Sequence, residues 1–197
     1  MISMRDALLF PARQIRKSAS ELKSTHTLVF SAMLLAVQVV MNQLLGTYVT
    51  PSLYIGFGYL ATSVVGALFG PAAAMLTNGL ADIIGYLLKP TGPFFPGFTL
   101  SALLGGLVYG CAFYKRNITL TSVIVARLIV VVLINLCLNT LWTNMLYGKG
   151  FFADLFVRGI KNTAEFFVSV MLIEPLLKKA RRLYDQITIG RAFDGSQ

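Results

Sequence analysis

The sequence predicts an all-α integral membrane protein of six transmembrane helices with both termini in the cytoplasm. Three observations predict it. The 197 residues are 56% hydrophobic and only 13% charged, with a mean hydropathy of +0.71. The apolar runs are longer than a soluble core helix requires. Lys and Arg gather at the two chain ends and in one short turn, which sets an orientation.

The net charge of +9 does not point to nucleic acid, because the cations are not spread over a soluble face. Arg5, Arg13, Arg16, Lys17 and Lys23 lie at the N-terminus, Lys115 and Arg116 in one turn, and Lys178, Lys179, Arg181, Arg182 and Arg191 at the C-terminus. Placing all three groups in the cytoplasm demands an even number of crossings between His26 and Lys115. The chain divides into a cytoplasmic or interfacial segment (1–25), a membrane domain (26–182) and a cytoplasmic tail (183–197).

Taken in order, residues 1–25 mix Leu8, Leu9, Phe10 and Ile15 with the five cations, the pattern of an interfacial helix on an anionic leaflet. A cleaved signal peptide is the rival reading, but the next run is long and lacks a small-x-small site after Leu45. The first span, about Leu28 to Leu45, places Ala32 and Ala36 four residues apart on one face, where another helix can approach. An uncharged loop, Gly46 to Gly58, follows.

The run from Gly58 to Leu88 has 31 residues, too long for one upright span. Gly70-Pro71 interrupts it, and proline suits the first turn of a new helix. Two spans therefore fit here, as the charge argument requires. The stretch Leu88 to Thr99 holds Pro90, Pro93, Pro96 and Phe94, Phe95, Phe98, so it must be a turn. It reads as the rim of a binding site, since irregular backbone at membrane depth survives only against protein or a water-filled cavity; a plain proline-rich connector is the alternative. The fourth span, about Gly97 to Tyr114, carries Gly105, Gly106 and Gly110; the fifth runs from about Leu120 to Met145 and the sixth from about Ala153 to Leu177.

Polar groups inside spans mark function. Asn135, Asn139 and Trp142 fall at i, i+4 and i+7, and Arg158, Lys161, Asn162 and Glu165 at i, i+3, i+4 and i+7. At 1.5 Å per residue Arg158 lies roughly 8 Å below the outer end of its helix and Glu165 roughly 18 Å. Asp82 and Tyr86, with Asn78 one turn below, supply a third wall, and Arg127 is placed to pair with Asp82. Aromatic plates, amides, a carboxylate and cations near the mouth suit a flat heteroaromatic ligand with an anionic tail. The competing reading is that Lys161 and Glu165 neutralise each other across one turn while the asparagines join helices.

Two function classes remain: a ligand-capture subunit or carrier, and an intramembrane enzyme. The sequence offers no His/Cys/carboxylate cluster, no Gly-x-Ser-x-Gly and no His-Glu-x-x-His. It has no Gly-x-x-x-x-Gly-Lys-Ser/Thr loop either, so any ATP-driven work requires partner chains. Cys111 and Cys137 sit in apolar runs without paired spacing, and His26 is the single histidine, so no metal or redox site is expected.

The segments Leu68-Phe69-Gly70-Pro71, Gly79-x-x-Asp82-x-x-Gly85-Tyr86-x-x-Lys89-Pro90-Thr91-Gly92-Pro93-Phe94-Phe95-Pro96-Gly97-Phe98-Thr99, Leu138-Asn139-Thr140-Leu141-Trp142 with Tyr147-Gly148-Lys149, and Arg158-x-x-Lys161-Asn162 resemble the S components of energy-coupling factor (ECF) vitamin transporters, in particular the folate-specific ones. The resemblance implies a six-helix membrane protein that binds folate from outside and docks on a transmembrane coupling subunit and two ATPases. It implies no cofactor in this chain, ATP being used by the partners. The family's small-residue docking face maps onto Ala32 and Ala36. The expected ligand contacts are Trp142, Tyr86 and Phe98 for stacking, Asn139, Asn162 and Asp82 for the ring edge, and Arg158, Lys161 and Lys89 for carboxylates. The sequence departs from the family after Asn162, where Ala164-Glu165-Phe166-Phe167 replaces an expected proline near Phe167. Another vitamin (a pyrimidine, riboflavin or pantothenate) is the alternative within the class, and a solitary secondary carrier the alternative outside it.

Overall fold

The structure, a computed structural model, describes residues 4–50, 53–90, 92–148 and 151–194, with the backbone alone at 4–12, 47–50, 53–54, 151, 153 and 188–194. Thr91 of the proline-rich turn and Lys149 lie outside the described residues, as does the last tripeptide of the tail. The elements are α1 (Met4–Glu21), α2 (Thr25–Leu44), β1 (Thr47–Thr50), β2 (Leu53–Ile55), α3 (Gly58–Leu88), α4 (Pro96–Phe113), α5 (Leu120–Ile129), a π-helical segment (Val130–Leu138), α6 (Asn139–Tyr147) and α7 (Phe151–Asp194). Among the described residues, four helical stretches are long and apolar enough to cross a membrane: α2, α3, α4 and the continuous run Leu120–Tyr147.

The helical expectation holds with two corrections. The Gly46 to Gly58 loop contains a small antiparallel hairpin, Tyr48 opposite Tyr54. The last helix does not stop where the sixth span is expected to end, near Leu177, but continues to Asp194. Its proline is Pro175, one turn before Lys178, rather than near Phe167.

The break predicted at Gly70-Pro71 is present, and its chemistry explains how the ends of the chain are used. Gly70 has φ +85° and ψ −175°, a conformation L side chains avoid. A Cβ there would also run into Ser18. Proline has no N–H, so the carbonyl of Ala67, four residues back, loses its helical donor. Arg181 Nη2 reaches that carbonyl at 3.4 Å. Ser18 Oγ donates to the Phe69 carbonyl at 2.6 Å and accepts from the Ala72 N–H at 3.2 Å. The freed groups of the break are thus satisfied by residues from opposite ends of the sequence.

The same end of the bundle collects the predicted basic segments. Arg181 Nη1 donates to the Arg116 carbonyl at 2.6 Å and Nη2 to Phe113 at 3.1 Å, closing the end of α4. Lys115 pairs with Glu21 at 2.6 Å. His26 and Phe30 at the start of α2 meet Tyr184, with ring centroids 5.8 and 6.0 Å apart. At the opposite end, Gln43 donates to the Gly85 carbonyl, the Gly58 N–H donates to Asn42 Oδ1, and the proline-rich turn caps the bundle.

The two halves of α3 form the centre, fully buried at Val65, Ala73 and Ala74, and α4 lies directly against them. A Cβ on Gly106 would strike the Ala74 carbonyl and one on Gly110 would strike Pro71, so these glycines set the helix separation. Helix α2 is the opposite case: Val29, Met33, Val37 and Val40 are about half exposed, and Ala32 and Ala36 lie on that outward side.

Replacing Ser18 with Ala leaves the Phe69 carbonyl and the Ala72 N–H buried without partners, a cost of about 1–3 kcal/mol. A lowered unfolding midpoint of the detergent-solubilised protein is expected, with ligand affinity unchanged because Ser18 lies at the end remote from the cavity described next.

Candidate functional site

A cavity of about 410 Å³ lies between α2, both halves of α3, the proline-rich turn, α4, the fifth helical run and the outer part of α7. Its size falls in the range of small-molecule sites. Of the nine residues expected to touch ligand, eight line it: Asp82, Tyr86, Lys89, Phe98, Asn139, Arg158, Lys161 and Asn162. Asn78, Asn135 and Glu165 line it as well.

Trp142 is the exception. Its ring lies 5.7 Å from that of Phe95, and its Nε1 donates to Ser101 Oγ at 3.0 Å; Phe95 and Ser101 are the residues that face the cavity. Trp142 therefore backs the wall instead of forming it. The physical reason is angular: Asn139 and Trp142 are three residues apart on α6, so their side chains diverge by about 60°, and Trp142 falls at the edge of the face, where Phe95 and Ser101 of the neighbouring segment take its contacts.

The floor is built on Arg127, 2% exposed. Its Nη2 donates to Glu165 Oε1 at 2.8 Å, its Nε to Ser169 Oγ at 2.7 Å and its Nη1 to Tyr109 OH at 3.0 Å. The guanidinium also lies 4.4 Å from the centre of the Tyr59 ring. The expected pairing of Arg127 with Asp82 does not occur. Asp82 instead accepts from Thr99 Oγ1 at 2.7 Å, because the proline-rich turn folds the start of α4 back onto α3.

Glu165 is shared. Its second oxygen lies 2.8 Å from Lys161 Nζ, so the neutralising pair weighed in the sequence exists, but within the cavity wall and joined to Arg127. The triad carries two positive charges and one negative. Nearer the mouth Arg158, 7% exposed, donates to Asp154 Oδ2 at 2.6 Å and to Thr143 Oγ1 at 2.7 Å. Both expected cations of α7 are thus held in place by carboxylates one turn away.

Asn78 braces three helices. It accepts from Gln38 Nε2 at 2.5 Å and from Thr62 Oγ1 at 2.9 Å, and donates to the Ala102 carbonyl at 2.6 Å. Above it Tyr86 OH donates to the Gly92 carbonyl at 2.9 Å and its ring meets Phe94 at 5.2 Å, which pins the proline-rich turn to α3. Phe95 and Phe98 contact edge to face at 6.1 Å. The turn is therefore the rim of the cavity.

Among the residues that line the cavity, Gln38 Oε1, Asn139 Oδ1, Asn162 Oδ1 and Tyr59 OH are buried without a hydrogen-bond partner. Three of the four are amide oxygens, which can only accept. Buried acceptors of this kind are ordinarily satisfied. Among the described residues no group of three His, Cys, Asp or Glu could hold a metal. Sequence reasoning missed Gln38 and Asn42 on α2 and Tyr59 and Thr62 on α3. Their signal was present: polar residues at i, i+4 and i, i+3 in apolar runs.

Residues 26–177 match the family described as "ECF transporter, substrate-specific component". The chain belongs to that family. This S component is therefore a membrane protein, as its apolar helices require. It is 32% identical over 162 residues to the "Folate transporter FolT" of Clostridium novyi, covering 82% of this chain and 94% of the relative. It is 33% identical over 152 residues to the protein of the same name from Leuconostoc mesenteroides, covering 74% and 81%. A solved structure described as "Crystal structure of FolT bound with folic acid" superposes with a TM-score of 0.74 at 38% identity, covering 79% of this S component and 95% of that chain.

Replacing Glu165 with Leu leaves the buried Arg127 guanidinium without its carboxylate. Breaking a buried pair at one partner costs roughly 3–5 kcal/mol. A thermal melt should show Glu165→Leu to be far more damaging than Arg127→Met combined with Glu165→Leu, which removes the stranded guanidinium; equal losses would mean that the floor does not depend on this pair.

Proposed function

We propose that this S component captures folate from outside the cell and delivers it through an ATP-driven complex with a transmembrane coupling subunit and two ATPases. The observation that carries the reading is the cavity itself: unpartnered acceptor oxygens deep inside, aromatic rings at the rim and fixed cations on α7. A pterin ring offers an amino group and a ring N–H to such acceptors, and its glutamate tail offers carboxylates to such cations. The relatives named as folate transporters support the same ligand.

In this reading six segments cross the bilayer, α3 contributing two on either side of Gly70, with both termini and the Lys115-Arg116 turn in the cytoplasm of a bacterial cell. The clustering of the basic segments at one end supports this orientation. The cavity then opens outward beneath the hairpin and the proline-rich turn. Tyr86 and Phe98 stack on the pterin, with Trp142 acting through Phe95; Asn139, Asn162 and Asp82 take its polar edge; Arg158, Lys161 and Lys89 take the carboxylates. Ala32 and Ala36, on the outward face of α2, meet the coupling subunit, where small side chains let a partner helix come close.

Titration of the purified protein with folate should give saturable heat at one site per chain and a change in Trp142 fluorescence transmitted through Phe95; silence in both channels would reject folate. In the same assay Arg158→Ala should weaken folate at least tenfold while leaving a pterin without glutamate within about threefold, and equal losses would reject the tail assignment. For docking, Ala32→Leu with Ala36→Leu is expected to abolish ATP-driven uptake by the assembled complex yet spare folate binding by the isolated subunit. Uptake at the native rate would place the interface elsewhere.

A further inference from the structure

The fifth helical run carries a feature the proposed ligand contacts do not explain. Between Val130 and Leu138 the backbone is wound as a π-helix. The Asn139 N–H bonds to the Ile134 carbonyl, five residues back, and the Val130 N–H is shared between Ala126 and Arg127. Such wide turns are rare and recur at functional sites.

The consequence is one of register. In a regular helix each residue advances about 100°, so Leu138, eleven residues after Arg127, would return to within about 20° of it, while Asn139 would point about 120° away. A regular helix would therefore set a leucine in the wall above Arg127. The observed wall is different: Arg127, Val130, Ile134, Asn135 and Asn139 line the cavity, and Leu138 packs against the apolar core with Val130 and Ile134. Spacings of four to five residues between Val130, Ile134, Asn135 and Asn139 follow the wider winding. The unpartnered Asn139 Oδ1 is the product.

We infer that the π-helical segment Val130–Leu138 is a positioning element that selects Asn139 in place of Leu138 for the ligand-facing wall, making Asn139 a specificity-determining residue. This rests on the reading of the cavity as a ligand site, not on the identity of the ligand. Restoring a regular helix without changing the sequence would exchange an acceptor for a methyl-bearing chain and favour a less polar ligand.

The test is thiol accessibility in the full-length protein carrying Cys111→Ala and Cys137→Ala. Asn139→Cys and Leu138→Cys are treated separately with a charged methanethiosulfonate reagent in proteoliposomes. Labelling of Asn139→Cys at least tenfold faster than Leu138→Cys is expected, and equal or inverted rates overturn the inference. As a second variant the exchange Leu138→Asn with Asn139→Leu keeps composition and hydropathy. It is expected to bind folate at least tenfold more weakly than the native chain, and native affinity in the exchanged protein overturns the inference. If the native chain fails to bind folate while Asn139→Cys labels selectively, the folate reading falls and the register stands.

Discussion

A guanidinium held among apolar helices must have its donors met by protein, since the bilayer core offers none. Arg127 meets this constraint by recruiting Glu165 and Ser169 from α7, Tyr109 from α4 and the ring of Tyr59 from α3. One buried side chain on the fifth run thereby ties three other helices around it. Breaking the arrangement at one partner leaves an uncompensated charge, so the four helices are fixed relative to one another at the depth of the cavity floor. The cavity above is open because its floor is not free to collapse.

The second organising constraint is the broken α3. A 31-residue helix cannot fit upright across a bilayer core of about 30 Å, and the chain turns this excess into two segments joined at Gly70. Breaking a helix exposes backbone groups, and those groups are met by Ser18 and Arg181, neither of which lies within the matched family region of residues 26–177. The terminal helices are therefore parts of the fold. At the other end, the same logic makes the proline-rich turn a rim: its irregular backbone is held by Tyr86, Phe94 and the Asp82–Thr99 bond.

Much of this was legible in the residues themselves. The helix breaker at Gly70-Pro71, the turn at Pro90 to Pro96 and the polar positions of α7 follow from local chemistry, and the structure gathers them as local chemistry implies. What escaped the sequence escaped for physical reasons. Trp142 shares a broad stripe with Asn139 on α6, but whether a ring at the edge of that stripe reaches the cavity is decided by Phe95 and Ser101, which come from elsewhere in the chain. The partner of Arg127 depends on which helices touch, a tertiary fact; Asp82 had a nearer donor in Thr99. The hairpin in the Gly46 to Gly58 loop went unread because its strands are only four and three residues long. The reach of α7 past Leu177 was hidden by Lys178, Lys179, Arg181 and Arg182, which end the apolar run but not the helix.

Arg181 has a consequence for the order in which the molecule assembles. The tightest pairing, α3 with α4, joins neighbours in sequence and can form as soon as both leave the ribosome. The Ala67, Phe113 and Arg116 carbonyls must wait for a residue sixty-five or more positions downstream. Until synthesis reaches Arg181 these carbonyls lack their guanidinium donor, and the Phe113 carbonyl has the local Arg116 N–H instead, so a nascent chain arrested before this point holds its inner bundle with an unsealed seam at that end, the state a quality-control protease would meet.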